Sequence, residues 1–161
     1  MIIEADGFKF DFTDASDAFV FDEKDRSKAA FHGLSHCMKA VDIIVELEND
    51  YLFVEVKNLE NATDDYQQKE PFNYLLEVLK YKYRDSFLYR WAEGKTDKSI
   101  RYLCLLTLES GLITRMNKEL RYQLPPGLPV TRWSNEIAKA CVVLNEARWN
   151  SNFPKWPVQR I

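Results

Sequence analysis

The stretch "VDIIVELENDYLFVEVK", residues 41–57, decides the fold. Two runs of β-branched, aliphatic and aromatic residues flank a short polar break, and this pattern predicts a β-hairpin. Each strand also carries charge, with Asp42 in the first and Glu55 and Lys57 in the second. A charge in a buried strand costs free energy unless it finds a partner or a metal ion. These three side chains are therefore candidates for a functional site.

The turn of this hairpin decides which of the three side chains meet. Alternation along a strand puts Glu55 and Lys57 on the same face. If Asn49 and Asp50 form a two-residue turn, as their residue types favour, Asp42 lies opposite Lys57. A turn shifted by one residue pair places Asp42 opposite Glu55 instead. A loop with an even number of residues keeps all three side chains on one face of the sheet. An odd number places Asp42 on the other face, unless a β-bulge restores the alternation.

Two carboxylates and one ammonium at the end of a hairpin can together support a metal-dependent reaction. Convergent carboxylates can hold Mg²⁺ and leave coordination sites for water and a phosphate oxygen. The metal then polarises the phosphate and lowers the pKa of a bound water. The lysine can orient or deprotonate the attacking water, or neutralise charge in the transition state. The reaction implied is phosphodiester hydrolysis. The alternative is a structural ion pair across the strands, in which the lysine neutralises one carboxylate and the other carboxylate has no partner.

Val41 and Asp42, followed after a short hairpin by Glu55, Val56 and Lys57, resemble the motif of the PD-(D/E)XK nuclease superfamily, the restriction-endonuclease-like fold. Val41 stands where the family has proline. The resemblance implies that Asp42 and Glu55 ligate Mg²⁺, with Mn²⁺ as a substitute. It implies that the backbone carbonyl of Val56 adds a ligand and that Lys57 is the catalytic lysine. A mixed sheet flanked by helices is also implied.

The motif lies within residues 39–58, and the helix and strand predicted after it continue the order of the family to about residue 109. Many members also carry an acidic residue on a helix before the first core strand, whereas this chain opens with a predicted hairpin. The acidic residues that could complete the site from that side are Asp17, Asp22 and Glu23.

The first two thirds of the chain predict strands, one helix and another strand. Asp6 and Gly7 between alternating apolar residues predict an initial hairpin, and "DAFVFDEKD" predicts a further strand. A long amphipathic helix begins at Pro71 and ends at Gly94. Its predicted buried face consists of Phe72, Leu75, Leu76, Leu79, Tyr83, Phe87 and Trp91. The apolar run "IRYLCLLTLE" predicts a central strand covered on both faces.

The last third predicts two more helices. A short helix, "LITRMNKELRYQL", ends at consecutive prolines, and "PVTRW" predicts a last short strand. Ser134 is the expected N-cap of a second long helix over residues 135–149, followed by an irregular tail. The predicted class is therefore α/β, a mixed central β-sheet flanked by helices in one nuclease-like domain over residues 1–161, with residues 134–161 as its C-terminal helix and tail.

Composition narrows the class of protein. A chain of 161 residues that is 46% hydrophobic suits one globular domain. It contains no apolar run of the roughly 18 residues that a membrane span needs, and its start lacks the layout of a signal peptide. We expect a cytoplasmic protein with no membrane partner. Cys37, Cys104 and Cys141 are odd in number and widely spaced, which predicts buried thiols rather than a disulfide framework.

Charge is distributed unevenly, although the net charge is only -3. Residues 1–70 carry 7 Lys or Arg against 17 Asp or Glu, and residues 112–161 carry 8 against 3. Such a layout permits an acidic cluster for a metal and a basic surface for a polyanion. The candidate nucleic-acid contacts are Lys69, just before the long helix, and the basic stripe of Arg115, Lys118 and Arg121. A solvated helix face explains the stripe as well.

The function expected from the sequence is a Mg²⁺-dependent nuclease, a hydrolase that acts on DNA in preference to RNA. A homodimer is a natural way for so small a chain to engage both strands of a duplex. The alternative is a catalytically inactive nuclease-like fold that serves as a binding or assembly module.

Overall fold

A computed structural model gives the secondary structure of residues 1–161 and describes all side chains except those of residues 61–63. The strands are β1 (Ile2–Ala5), β2 (Phe8–Asp11), β3 (Asp17–Val20), β4 (Ile43–Glu46), β5 (Asp50–Lys57), β6 (Ser99–Leu106), β7 (Ala140–Leu144) and β8 (Val158–Arg160). The α-helices are α1 (Lys69–Ala92), α2 (Ser110–Gln123) and α3 (Glu146–Asn152), and a 3-10 helix spans Glu60–Gln67.

The central sheet has the order β3-β4-β5-β6-β7. Strands β3, β4 and β5 pair antiparallel, whereas β5, β6 and β7 pair parallel. The parallel half requires crossover connections, and α1 and α2 supply them. The predicted α/β class with a mixed sheet flanked by helices is confirmed. Strand β6 is the predicted central strand, with both of its edges paired and residues 102–106 buried.

The turn between β4 and β5 follows the shifted register and not the register that the residue types favour. The backbone N–H of Leu47 donates to the carbonyl of Asp50 at 2.9 Å, so the turn lies one residue earlier than an Asn49-Asp50 turn. Extending the strand pairing by one residue pair places Asp42 opposite Glu55. Of the two arrangements left open by the sequence, the one that opposes the two carboxylates is present.

Ion pairs explain why Asp50 joins the strand. Its buried carboxylate lies 2.7 Å from the guanidinium of Arg101 in β6 and 3.1 Å from the ammonium of Lys139 just before β7. These partners come from distant parts of the chain, so the local preference of Asp50 for a turn is outweighed by tertiary contacts.

The two faces of the central sheet are covered differently. Tyr51 and Phe53 of β5 face the cluster formed with α1 and α2. Their neighbours Leu52 and Val54 face a second cluster that includes Phe10 and other residues of β1, β2, β8 and α3. Strands β1, β2 and β8 form a separate sheet of that order. The predicted initial hairpin is confirmed, with positive φ angles of 45° at Asp6 and 82° at Gly7 that suit its turn.

The prediction for the C-terminal region is wrong in three places. The long helix expected over residues 135–149 is replaced by β7 and α3, because "ACVVL" pairs with β6 as a buried strand. Asn145 ends that strand and caps α3, accepting a hydrogen bond from the Arg148 N–H at 3.0 Å. The strand expected over residues 129–133 is a turn region, and the tail expected to be irregular contains β8, which pairs with β2.

Helix α1 matches its prediction in extent but not along its whole buried face. Trp91 was expected inside and is 62% exposed, while Phe87 is half-buried. Lys82, Ser86 and Arg90 are buried instead. The buried line advances by 3.6 residues per turn and drifts away from a strict four-residue step, so it reaches Arg90 rather than Trp91.

The cysteines agree with their prediction in two cases of three. Cys104 and Cys141 are buried free thiols, whereas Cys37 lies in the connector before β4 and is exposed. In the part of the chain that the structure describes, every helix is too short or too polar to cross a membrane.

Trp149 gives a direct test of the packing between the two sheets. It is fully buried, and its ring lies 5.3 Å from that of Phe10 in an edge arrangement. We expect Trp149→Ala to lower the free energy of unfolding by about 3 to 5 kcal/mol, measured by urea denaturation with circular dichroism. Trp91→Ala is the matched control, and it should change stability by no more than about 0.5 kcal/mol. Equal effects of the two substitutions would contradict this account of the core.

Candidate active site

Asp42 enters the site at the start of β4, and the backbone around it is fixed from three directions. Its carboxylate Oδ2 accepts a hydrogen bond from the Val56 N–H at 2.7 Å, in place of a ladder bond between the strands. Its carbonyl accepts from the Phe21 N–H at 2.8 Å. The preceding Val41 N–H donates to the buried hydroxyl of Ser86 at 2.9 Å. The carboxylate is therefore held at the end of the sheet while its side chain stays 20% exposed.

Glu55 faces Asp42 from β5 and is completely buried. Its Oε1 lies 3.1 Å from the ammonium of Lys57, two residues along the same strand face. Its Oε2 makes no hydrogen bond to any described atom of the protein. The structure thus brings together the three residues that the motif predicted. Among the described residues neither Glu55 oxygen accepts a regular hydrogen bond, and the two ion-pair contacts of the carboxylate are both to Oε1.

Lys82 of α1 is a fourth charged member of the site that the sequence reasoning missed. Its ammonium lies 2.8 Å from Glu55 Oε1 and 3.5 Å from Asp42 Oδ1. The only signal in the sequence was its position, three residues after Leu79 and so beside the apolar line of the helix. A lysine at such a border is usually read as a solvated one whose stem covers apolar surface.

The charges of this cluster perturb one another strongly. Burial, and then the charge of Asp42, raise the pKa of Glu55 to about 7, although Lys82 and Lys57 oppose the rise. Burial alone would lower the pKa of Lys82, but the charges of Glu55 and Asp42 outweigh it and the net change is upward. The ammonium is therefore retained through neutral pH, while Glu55 is poised to exchange its proton there.

The upstream acids differ in their distance from this cluster. Asp17 pairs with Glu46 at the opposite end of β3 and β4 and does not approach it. Glu23 is used by its own loop, accepting from the Asp25 N–H at 2.8 Å. Asp22 follows the residue that bonds to Asp42, and its charge contributes to the raised pKa of Lys82. Of the three candidates, Asp22 is the one whose charge acts on a member of the cluster, and it also pairs with Lys24.

The oxygen atoms at this point suit a magnesium ion. Among the described residues, Glu55 Oε2 accepts no hydrogen bond, and the contact found for Asp42 Oδ1 is the long one to Lys82. The N–H and C=O of one strand residue point to the same edge, so the carbonyl of Val56 lies on the side of Asp42. Among the residues whose side chains are described, there is no group of three or more His, Cys, Asp or Glu side chains that could hold a metal ion. Magnesium typically binds through one or two carboxylates with water and phosphate, so the set fits it.

The candidate nucleic-acid contacts lie outside this cluster. Arg115 and the rest of the basic stripe are exposed on α2, and Lys69 is exposed at the first residue of α1. The guanidinium of Arg115 lies 4.0 Å from the centre of the Phe72 ring. Phe72 precedes Lys82 by ten residues, which is about 15 Å along a helix axis. Arg115 and Lys69 therefore flank the start of α1, at a distance from the carboxylates.

Comparison with known proteins identifies no relative of this chain. No family model matches it, and no curated protein or solved structure is significantly similar to it. The resemblance of its motif to PD-(D/E)XK nucleases is therefore still a prediction from the sequence, and the site is argued from its own geometry.

The raised pKa of Glu55 predicts how stability depends on pH. The folded protein binds this proton more tightly than the unfolded chain does, so stability from it is complete below pH 4.5 and is lost as the pH rises to about 7. Between these limits the free energy of unfolding of the native protein should fall by roughly 3 kcal/mol relative to Glu55→Gln. Urea titrations in chelator-treated buffers measure the difference. If the free energy of unfolding of the native protein instead rose with pH relative to that of Glu55→Gln, the folded state would favour the ionised carboxylate.

Proposed function

We propose that this protein is a Mg²⁺-dependent nuclease that hydrolyses phosphodiester bonds, with DNA favoured over RNA as its substrate. The observation that carries the proposal is the pair of opposed carboxylates, Asp42 and Glu55, with a buried oxygen of Glu55 left without a hydrogen bond. Both would hold the metal, and the Val56 carbonyl would add a third oxygen. When bound, Mg²⁺ would supply a Lewis acid for the phosphate and lower the pKa of a coordinated water.

The protein's own groups would provide position and charge. Asp42 and Lys57 have side chains that are 20% and 31% exposed, so a phosphate can approach them, whereas Glu55 is closed off beneath them. Lys57 can donate hydrogen bonds to an attacking water or to a phosphate oxygen, and its charge would stabilise negative charge in the transition state. The bond from Val56 N–H holds Asp42 in place before a substrate binds.

Helix α2 offers a surface for the rest of a nucleic acid. Lys118 and Arg121 line a groove of about 550 Å³ together with Tyr122 and Pro126. Tyr122 is 84% exposed, and an exposed ring beside basic side chains suits a stacked base with neighbouring phosphates. Under the proposal, this groove, Arg115 and Lys69 would bind substrate beyond the cleavage position.

The charge balance of the cluster favours a second candidate function. Two carboxylates and two ammoniums neutralise one another, because Lys82 takes up the carboxylate that Lys57 leaves over. A fully paired network needs no metal. The alternative is therefore a catalytically inactive fold that serves as a binding or assembly module.

An apolar line on the outer face of α1 supports self-association under either function. Tyr74, Tyr81 and Leu88 recur every seven residues and are 69%, 39% and 54% exposed. In an antiparallel pair of helices centred on Tyr81, Tyr74 would meet Leu88 of the second copy and Tyr81 would meet its own counterpart. The contact of Tyr74 with Leu88 occurs twice by symmetry. We infer that a homodimer would use this face.

Cleavage assays test the nuclease proposal. With Mg²⁺ or Mn²⁺, the native protein should cut at least one of single-stranded, duplex or branched DNA, with RNA tested in parallel. Asp42→Asn and Lys57→Met should each lower the rate by at least about a hundredfold, because the first removes a carboxylate that would hold the metal and the second removes a charge that would stabilise the transition state.

Asp17→Asn is the matched control for these variants, since it removes a carboxylate at the far end of β3 and should leave the rate unchanged. If the native protein is inert on every substrate although it is folded, the binding module becomes the better description. If Asp42→Asn cuts as fast as the native protein, the assigned role of Asp42 is wrong.

Sedimentation tests the homodimer. The native protein should show a dimer at micromolar concentration that Tyr81→Asp converts to monomer, because the substitution buries a charge at the centre of the contact. Tyr122→Asp places the same charge on another exposed ring and should leave the dimer intact. A native protein that sediments as a monomer, both alone and with DNA, would exclude this interface.

A further inference from the structure

The ammonium of Lys82 sits between the two carboxylates that a metal would need. It contacts Glu55 Oε1 at 2.8 Å and Asp42 Oδ1 at 3.5 Å, and the residue is 9% exposed. Lys57 differs, because its ammonium meets Glu55 alone and its side chain is 31% exposed. Only one of the two lysines therefore bridges both acids.

We propose that Lys82 is an internal counter-ion of the Asp42 and Glu55 pair, which competes with a divalent cation and withdraws when the cation binds. This inference rests on the proposed function and adds a regulatory property to the same site. A monovalent ammonium in contact with both carboxylates neutralises the charge that would attract the cation. It would also repel a cation held at the same oxygens.

The surroundings of Lys82 give its ammonium somewhere to go. A groove of about 390 Å³ runs between α1 and the connector that leads to Asp42. Its lining includes Val78 and Asp85, which lie four residues before and three residues after Lys82 on the same side of the helix. The Asp85 carboxylate already accepts a hydrogen bond from the Lys39 N–H at 2.8 Å and adds negative charge to the groove. The groove is lined by neighbours of Lys82 and not by Lys82 itself, so under the proposal the flexible four-carbon stem would swing its ammonium toward the groove while the helix stays in place.

Charged groups on each neighbouring element favour this assignment. Asp22, beyond β3, contributes to the raised pKa of Lys82 and would attract the displaced ammonium. Lys57 reaches the site from β5 and can keep its contact with Glu55 while a cation binds, because only Oε1 is involved. Withdrawal of Lys82 would release Asp42 Oδ1, which would then be available to a cation together with Glu55 Oε2, an oxygen that Lys82 does not contact. The metal-free site would thus be held closed by its own lysine.

Binding of Mn²⁺ alone, without nucleic acid, tests the inference. Lys82→Met keeps the length of the side chain and removes its charge, so it should bind Mn²⁺ at least about tenfold more tightly than the native protein does, by calorimetry. Lys80→Met is the matched control. It removes the same charge two residues away, where the ammonium contacts Gln123 at 2.9 Å rather than either carboxylate, and it should leave the affinity within about twofold of native.

A second measurement uses the native protein and does not depend on whether Lys82→Met folds. Acylation of lysines by a water-soluble reagent, followed by mass spectrometry, should show Lys82 reacting several-fold faster with Mn²⁺ present, and Lys80 unchanged. Either of two results would overturn the inference while leaving the metal site in place. One is that the native protein binds Mn²⁺ and Lys82→Met binds it no more tightly. The other is that Mn²⁺ does not raise the acylation rate of Lys82. If the native protein, Lys82→Met and Asp42→Asn all fail to bind Mn²⁺, the proposed function itself is wrong.

Discussion

The burial of the Glu55 carboxylate is the constraint on which the arrangement of the site depends. Removing a carboxylate from water costs several kcal/mol unless charged partners and hydrogen bonds replace its hydration. Two ammoniums approach one of its oxygens, from the same strand and from α1. The second oxygen has no hydrogen bond to a described atom. The two ammoniums thus compensate the burial of only one carboxylate oxygen, which is unusual for a group that serves only to stabilise the fold.

The position of the cluster in the sheet follows from this constraint. It lies where the antiparallel half of the sheet joins the parallel half, at the end of β5 and beneath α1. The crossover helix that the parallel half requires is the same element that carries Lys82 to Glu55 and Ser86 to the backbone before Asp42. On the opposite face of β5, Leu52, Val54 and Val56 pack in the apolar cluster shared with the second sheet and α3, while Asp50 at the start of the strand forms ion pairs. The apolar packing of that face and the charged cluster around Glu55 thus lie on opposite sides of the strand.

The parts of this structure that could be predicted are those set by local pattern. Alternation along β5 placed Glu55 and Lys57 on one face, and the Asp6-Gly7 pair located the first hairpin. The helical pattern predicted for residues 135–149 was wrong because "ACVVL" pairs with residues of β6 that lie 39 positions earlier in the chain. Lys82 was missed for the same kind of reason. Its role depends on a contact with a strand 27 residues away, and nothing in its immediate neighbours distinguishes it from a surface lysine.

The pairing of β2 with β8 has a consequence for how the chain folds during its synthesis. The hairpin of β1 and β2 is synthesised before the other strands of the structure, whereas its partner strand β8 is synthesised after all of them. Phe8, Phe10 and Phe12 are fully buried in the finished protein by a cluster that also includes Trp149 and Val158. Until α3 and β8 leave the ribosome, the aromatic face of the hairpin is not yet covered on that side, and it is exposed to chaperones and to other unfinished chains. The central sheet can assemble earlier, so completion of the small sheet would be the closing step of folding.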